Sequence, residues 1–182
     1  MAEPRESAPA SAAAEGPMAP AAAMAALAEP FETDDALARM LDRFADRRVI
    51  CLGESTHGSH EFYRARAAIT ERLVREHGFD IVAVEADWPD AAAYDASIRE
   101  GAAHQLTEEP FARFPRWMWR NAEIWDLLRR LREINRARGP GEQAGFFGLD
   151  VYSLCASIDA VLGYLEEADP QAADVARGLY GC

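Results

Sequence analysis

The sequence of 182 residues contains no lysine, and all 19 of its basic residues are arginine. Its 31 acidic residues leave a formal net charge of −12 at pH 7. Proteins that bind nucleic acid or anionic membranes normally present a basic surface, because that surface must neutralise phosphate groups. The excess of negative charge therefore argues against nucleic acid and membranes as partners.

Cysteine is also scarce. Cys51, Cys155 and Cys182 form no closely spaced pair, which excludes zinc-knuckle and dithiol redox motifs. Their odd number argues against a disulfide framework and fits a reducing cytosol, so we predict a cytoplasmic protein. No apolar run approaches the roughly 20 residues of a membrane span. The N-terminus has acidic residues early and no basic segment, so it is not typical of a signal peptide.

The composition divides the chain into a tail and one domain. Alanine and proline dominate residues 1–30, which predicts a disordered tail ahead of a domain over residues 31–182. Within that domain, three short apolar runs are typical of buried strands: residues 48–53, 80–85 and 144–149.

Segments with helical periodicity separate these predicted strands. Thr33 is a candidate N-cap, and a helix is predicted over residues 59–77, ended by Gly78. A further helix is predicted over residues 117–138, with an apolar stripe of Ile124, Leu127, Leu128, Leu131 and Ile134. We therefore predict an α/β fold: a parallel sheet, covered on both faces, with flanking helices and a helical insertion. Three strands make a thin sheet, and the sequence stops just after a helix has begun. We interpret the chain as an incomplete, N-terminal part of a longer domain.

A carboxylate stands at the end of each predicted strand, namely Glu54, Glu85 and Asp150. In open parallel sheets, ligands bind at the carboxyl ends of the strands, so we expect these three acids along one rim. Acids in such positions are also common as helix N-caps or loop residues. That alternative stays open, for Asp150 above all.

An arginine lies on the apolar side of the helix predicted after the first strand. At 100° per residue, Arg66 falls within the stripe of Phe62, Ala65, Ile69 and Leu73. A buried guanidinium needs a carboxylate partner, because an unpaired buried charge is costly. We expect Glu54 or Glu85 to be that partner; the alternative is that Arg66 extends to solvent.

The segment "CLGESTHGSHEF" places His57 three residues after Glu54, in a loop where Gly58 allows a sharp turn. A histidine beside a glutamate can be held in one tautomer and can take a proton from water. The alternative is a loop histidine exposed to solvent. The spacing "HGSHE" is not the zinc-protease pattern of two histidines at i and i+4, so we predict no metal and no cofactor.

The stretch "LGESTHGSHEFYRARAAITERLVREHGFDIVAVEADWPDA" resembles the erythromycin esterase family, and so do "FPRWMWRNAEIWDLLRRLREIN" and "FFGLDVYSL". The resemblance runs from about residue 31 to the end. It implies an α/β core with helical insertions around a cleft, and metal-independent hydrolysis of a small-molecule ester, such as a macrolide antibiotic, by an activated water. It also implies that His57 is the general base, that Glu54 is its partner, and that Arg66 and Glu85 complete the site.

The chain departs from the family pattern in length. Family members are more than twice as long, and a further functional histidine belongs to their later half, whereas no histidine follows His104 here. Three interpretations therefore stay open: an ester hydrolase, with macrolactones among its candidate substrates; a ligand-binding protein on the same scaffold; and a truncated, inactive product.

Overall fold

The computed structural model describes residues 20–99, 110–112 and 116–180. The chain divides into two compact units, Met1–Phe31 and Glu32–Cys182. The regular elements, in chain order, are α1 (Pro20–Leu27), α2 (Asp34–Met40), α3 (His60–His77), β1 (Ile81–Asp87), α4 (Trp88–Ile98), α5 (Arg116–Trp119), α6 (Ala122–Arg136), β2 (Gly145–Asp150), α7 (Leu154–Ala168) and α8 (Pro170–Tyr180).

The first unit contains a helix where the sequence predicted none. Residues Pro20–Leu27 form α1, whose sequence PAAAMAAL is rich in alanine, the residue with the highest helix propensity. None of its side chains is buried, as expected for a helix with few large apolar residues. Residues 1–19 lie outside the described residues, and the disorder predicted for them stays a prediction.

The second unit is an α/β structure built on a parallel pair of strands, which confirms the predicted fold class. Strands β1 and β2 pair in parallel, with Ile81 opposite Gly145 and Val84 opposite Gly148. Both lie within a residue or two of the predicted runs 80–85 and 144–149. Helices α4, α5 and α6 lie between them in the chain and supply the predicted helical insertion.

The predicted strand over residues 48–53 does not form. This segment has no regular hydrogen-bonded structure, and the sheet of the described residues has two strands. Ile50 and Leu52 nevertheless pack against a small cluster that includes Ile69 and Leu73, while Val49 is exposed. The side chains thus alternate as in a strand. The prediction was wrong because a short apolar run identifies a segment that is partly buried but does not supply a hydrogen-bonding neighbour for its main chain.

Helices α3, α4 and α6 enclose the main hydrophobic core on one side of the sheet. The apolar stripe predicted for α6 is buried as expected: Ile124, Leu127, Leu128, Leu131 and Ile134. The largest side chains that are completely buried include Tyr94 of α4 and Phe146 of β2.

The other face of the sheet is open in the part of the chain that the structure describes. Ile81 on β1 and Phe147 and Leu149 on β2 are exposed. The prediction of a sheet covered on both faces is therefore wrong for the described residues. The strands are apolar on both faces, as predicted. An apolar face is not by itself evidence that helices of the described chain pack against it.

Local signals set most helix ends where the sequence predicted them. The Thr33 side chain accepts a hydrogen bond from the Ala36 main-chain N–H and caps α2. Helix α3 ends at Gly78, whose φ of 74° is in the left-handed region that favours glycine. The single helix predicted from Trp117 is instead two helices, because Asn121 caps the start of α6.

No helix in the described ranges combines the length and the apolar character that crossing a membrane requires.

Candidate active site

Glu54 and His57 form a hydrogen-bonded pair just before α3. The imidazole Nδ1 of His57 lies 2.5 Å from Oε1 of Glu54. The Glu54 side chain is only 7% exposed, whereas that of His57 is 47% exposed. A buried carboxylate therefore holds one nitrogen of a ring whose remainder is accessible to solvent.

Arg66 completes the cluster from the second turn of α3. Its Nη2 lies 2.7 Å from Oε2 of Glu54, and its side chain is 24% exposed. The pair that helical phase predicted is therefore present, with Arg66 mostly rather than fully buried. Although the distance is that of an ion pair, Oε2 has no aligned hydrogen-bond donor among the described residues. Arg66 thus neutralises the Glu54 carboxylate without satisfying that oxygen.

The loop that carries His57 is fixed by close packing against Trp117. Gly58 has φ of 82°, and a Cβ added there would lie 3.2 Å from Cζ3 of Trp117. The Trp117 ring is itself half-exposed and its centroid lies 6.4 Å from that of His57. Glycine is therefore required at position 58 both for its backbone conformation and for the approach of the indole.

Glu85 does not join this cluster. Its side chain is exposed on β1, and within the described residues it makes no ion pair or hydrogen bond. Its main-chain carbonyl accepts a hydrogen bond from the indole Nε1 of Trp119, at 3.0 Å. Of the two partners that the sequence offered for Arg66, the structure selects Glu54.

The acid that lies beside Asp150 at the strand ends is Asp87, not Glu85. A register shift after Val84 makes Asp87 the partner of Asp150. Asp87 is buried, and its Oδ1 accepts hydrogen bonds from the main-chain N–H groups of Tyr152 and Ser153, at 3.0 and 3.2 Å. Asp87 thus anchors the start of α7. Asp150 is the last residue of β2, and its carboxylate accepts a hydrogen bond from the N–H of Val151.

Sequence reasoning overlooked Tyr63, which packs directly beneath the cluster. The Arg66 Cζ lies 4.9 Å from the centroid of the Tyr63 ring, within the range of a cation–π contact. The buried residues of α3 include Tyr63, Ala67 and Val74 on the side of the main core. Their spacing of four and seven residues is a helical stripe, and it was the signal available in the sequence.

The described residues also form a groove of about 530 Å³ between α2, α3 and α6. Its walls carry charged side chains that pair with one another, for example His60 with Glu123 and Arg64 with Asp34. Neither Glu54 nor His57 lines it. Over the described ranges, no group of three or more His, Cys, Asp or Glu side chains is arranged to hold a metal ion.

Fold and cluster together define an α/β protein in which a buried carboxylate orients a partly exposed histidine. Comparison with known proteins gives the family. The profile of the erythromycin esterase family matches residues 74–182, more than half of the chain. This chain belongs to that family, which confirms the resemblance. The profile match contains Glu85 but begins after Arg66, so the roles of Glu54, His57 and Arg66 do not follow from it.

A curated relative agrees with this assignment. The "Putative hydrolase YbfO" of Bacillus subtilis (strain 168) is 25% identical over 131 residues, which are 71% of this chain and 28% of that protein. The chain therefore spans less than a third of the length of this relative. No solved structure matches the chain.

Proposed function

We propose that this chain carries the water-activating site of an ester hydrolase, with His57 as the general base. One observation carries the proposal: the buried Glu54 carboxylate binds Nδ1 of an imidazole that is still half-exposed. A carboxylate in that position favours the tautomer with the proton on Nδ1, so Nε2 is left with a lone pair that can accept a proton.

The reaction follows from this arrangement. Nε2 of His57 takes a proton from a water molecule while the water oxygen attacks the carbonyl carbon of the ester. The carbonyl oxygen gains the negative charge of a tetrahedral intermediate. When the intermediate collapses, the bond from carbon to the alcohol oxygen breaks and the imidazolium returns its proton to that oxygen. The products are one carboxylic acid and one alcohol.

Glu54 and Arg66 have supporting roles in this proposal. Glu54 orients the ring and stabilises the imidazolium that forms when His57 takes the proton. Arg66, 2.7 Å from Glu54, compensates the negative charge of that carboxylate. We retain Glu85 as a fourth residue of the site, on the support of the family resemblance and of its exposed position on β1.

We further infer a small-molecule ester as the substrate, with macrolactones such as macrolide antibiotics among the candidates. Family membership supports this substrate class. We also infer a cytoplasmic location. The free, exposed Cys51 and Cys155 are compatible with a reducing compartment.

Turnover of two esters by the purified chain tests the proposal. The probes are p-nitrophenyl acetate, followed by its colour, and erythromycin, followed by the mass gain of one water. His57→Ala should reduce turnover roughly 10²–10⁴-fold, the usual contribution of a general base. His60→Ala is the matched control, because His60 lies three residues away and pairs with Glu123 outside the cluster.

Three outcomes contradict the proposal. The first is a His57→Ala variant as active as the parent chain. The second is an activity that chelation abolishes and zinc restores. The third is binding of an ester without any turnover, which would favour the interpretation as a ligand-binding protein.

A further inference from the structure

Two buried polar atoms in the cluster lack a hydrogen-bond partner among the described residues: the Tyr63 hydroxyl and Oε2 of Glu54. Tyr63 is 3% exposed, so its hydroxyl cannot turn to bulk water. A buried polar atom without a partner costs stability, and such atoms are rare in native proteins. Two of them in a single cluster therefore require an explanation.

The surroundings of Tyr63 show which role its hydroxyl can take. Burial raises the pKa of Tyr63, and the negative charge of Glu54 raises it further, while the Gly58 main chain and the Arg66 guanidinium partly oppose both effects. The Arg66 guanidinium, whose Cζ lies 4.9 Å from the centroid of the Tyr63 ring and whose Nη2 lies 2.7 Å from Oε2 of Glu54, places Tyr63 next to that carboxylate. Because the phenol stays protonated at neutral pH, it can donate a hydrogen bond. A carboxylate oxygen such as Oε2 can only accept one.

We propose that Tyr63 is a positioning residue of this site, whose ring holds Arg66 and whose hydroxyl turns to donate to Oε2 of Glu54, already before substrate binds. The inference deepens the proposed function and rests on it for its catalytic part. A carboxylate held at both oxygens, by His57 at one and by Tyr63 at the other, cannot rotate away from the imidazole. Since Tyr63 is buried, it acts through Glu54 and not on the substrate.

Two substitutions separate the contributions of the hydroxyl and of the ring. Tyr63→Phe removes the hydroxyl but keeps the ring under the guanidinium, whereas Tyr63→Leu removes both. If Tyr63 only fills space, Tyr63→Phe should change nothing in the site, because its hydroxyl has no partner there. Tyr94→Phe is the matched control, because Tyr94 is equally buried but donates to the Trp119 carbonyl, at 3.2 Å.

The experiment measures three properties of the purified chain: the thermal midpoint, the proton NMR signal of the His57 Nδ1–H, and the hydrolysis of p-nitrophenyl acetate. For Tyr63→Phe we expect a lower midpoint, since Oε2 of Glu54 loses the donor that we propose for it. We also expect a shifted or broadened His57 signal, and a kcat reduced about tenfold or more with KM unchanged, the size of one hydrogen bond to a charged group. Tyr94→Phe should lower the midpoint and leave the His57 signal in place.

The outcomes distinguish this inference from the proposed function. If the parent chain does not hydrolyse the ester, the proposed function fails, whereas the His57 signal still tests the positioning role. If Tyr63→Phe keeps both the His57 signal and the parent kcat, the role of the hydroxyl is refuted and the proposed function stands. If Tyr63→Leu behaves like Tyr63→Phe in every measurement, the role of the ring is refuted.

Discussion

Replacing Arg66 by methionine should destabilise the protein, because it leaves the buried Glu54 carboxylate without its cation. Removing one partner of a fully buried ion pair costs about 3–5 kcal/mol. Arg66 retains 24% of its side-chain exposure while Glu54 retains 7%, so solvent screens part of the interaction. We therefore expect a loss of about 2 kcal/mol in the free energy of unfolding, below the range for a fully buried pair. Methionine preserves much of the apolar stem, so that the change reports mainly on charge.

The same replacement at Arg64 provides the control. Arg64 lies two residues earlier on α3, is 54% exposed and pairs with Asp34 at 2.6 Å. An exposed pair of this kind contributes about 0–1 kcal/mol. Urea unfolding followed by circular dichroism measures both variants, and Arg66→Met should also lower Tm by about 4–8 °C. If Arg66→Met lowers the free energy of unfolding by no more than Arg64→Met does, the interpretation of Glu54 as a buried, charge-compensated carboxylate is refuted.

Two further predictions concern the frame around the site. Asn135 is completely buried, and its side chain makes three hydrogen bonds to the main chain at the end of α4 and just before β2. Asn135→Leu should therefore cost about 3 kcal/mol or more in urea unfolding, and a cost below about 1 kcal/mol would contradict this assignment. Arg72, and to a lesser extent His77, hold the pKa of Asp42 well below its usual 3.8. The stabilisation from this lowered pKa is complete above pH 3.8 and is lost as the pH falls further. The difference in urea midpoint between the parent chain and Asp42→Asn should shrink below pH 3.8, whereas a difference that is independent of pH would rule the linkage out.

The helices could be predicted because their signals are local. An apolar stripe, a threonine at an N-cap and a glycine after a last turn act over three or four residues. The sequence therefore located α3 and the buried face of α6 closely. The break at Asn121 was overlooked, because the hydrophobic period continues across it while only the side-chain cap marks the new helix start.

The sheet was predicted less completely, because strand pairing depends on distant parts of the chain. The apolar run of residues 48–53 predicted a buried strand, and Ile50 and Leu52 do pack against the cluster of Ile69 and Leu73, yet the segment has no ladder partner in the described residues. The shift of register after Val84 is likewise invisible in a single strand. Without the shift Ala86 would lie opposite Asp150, and the shift places Asp87 there instead.

The candidate site was predicted where helical geometry fixed the answer. Arg66 lies on the apolar side of α3 and Glu54 lies just before that helix, so the sequence offered few carboxylates that could pair with the guanidinium. The structure shows that Glu54 is the partner. Tyr63 was overlooked because an aromatic residue on a buried stripe looks like ordinary core. Its importance lies in an unpaired hydroxyl, and only three-dimensional contacts reveal that a hydroxyl has no partner.

The pairing of β1 with β2 joins residues that are far apart in the chain, since Ile81 lies opposite Gly145, 64 positions later. Closing a loop of that length costs roughly 4 kcal/mol in chain entropy. The two-stranded ladder is too short to compensate for this alone, so the packing of α4 and α6 has to bring the strand ends together. The pairing of the two strands therefore depends on the helices between them, and we expect a substitution in the apolar stripe of α6 to weaken the sheet without changing a strand residue.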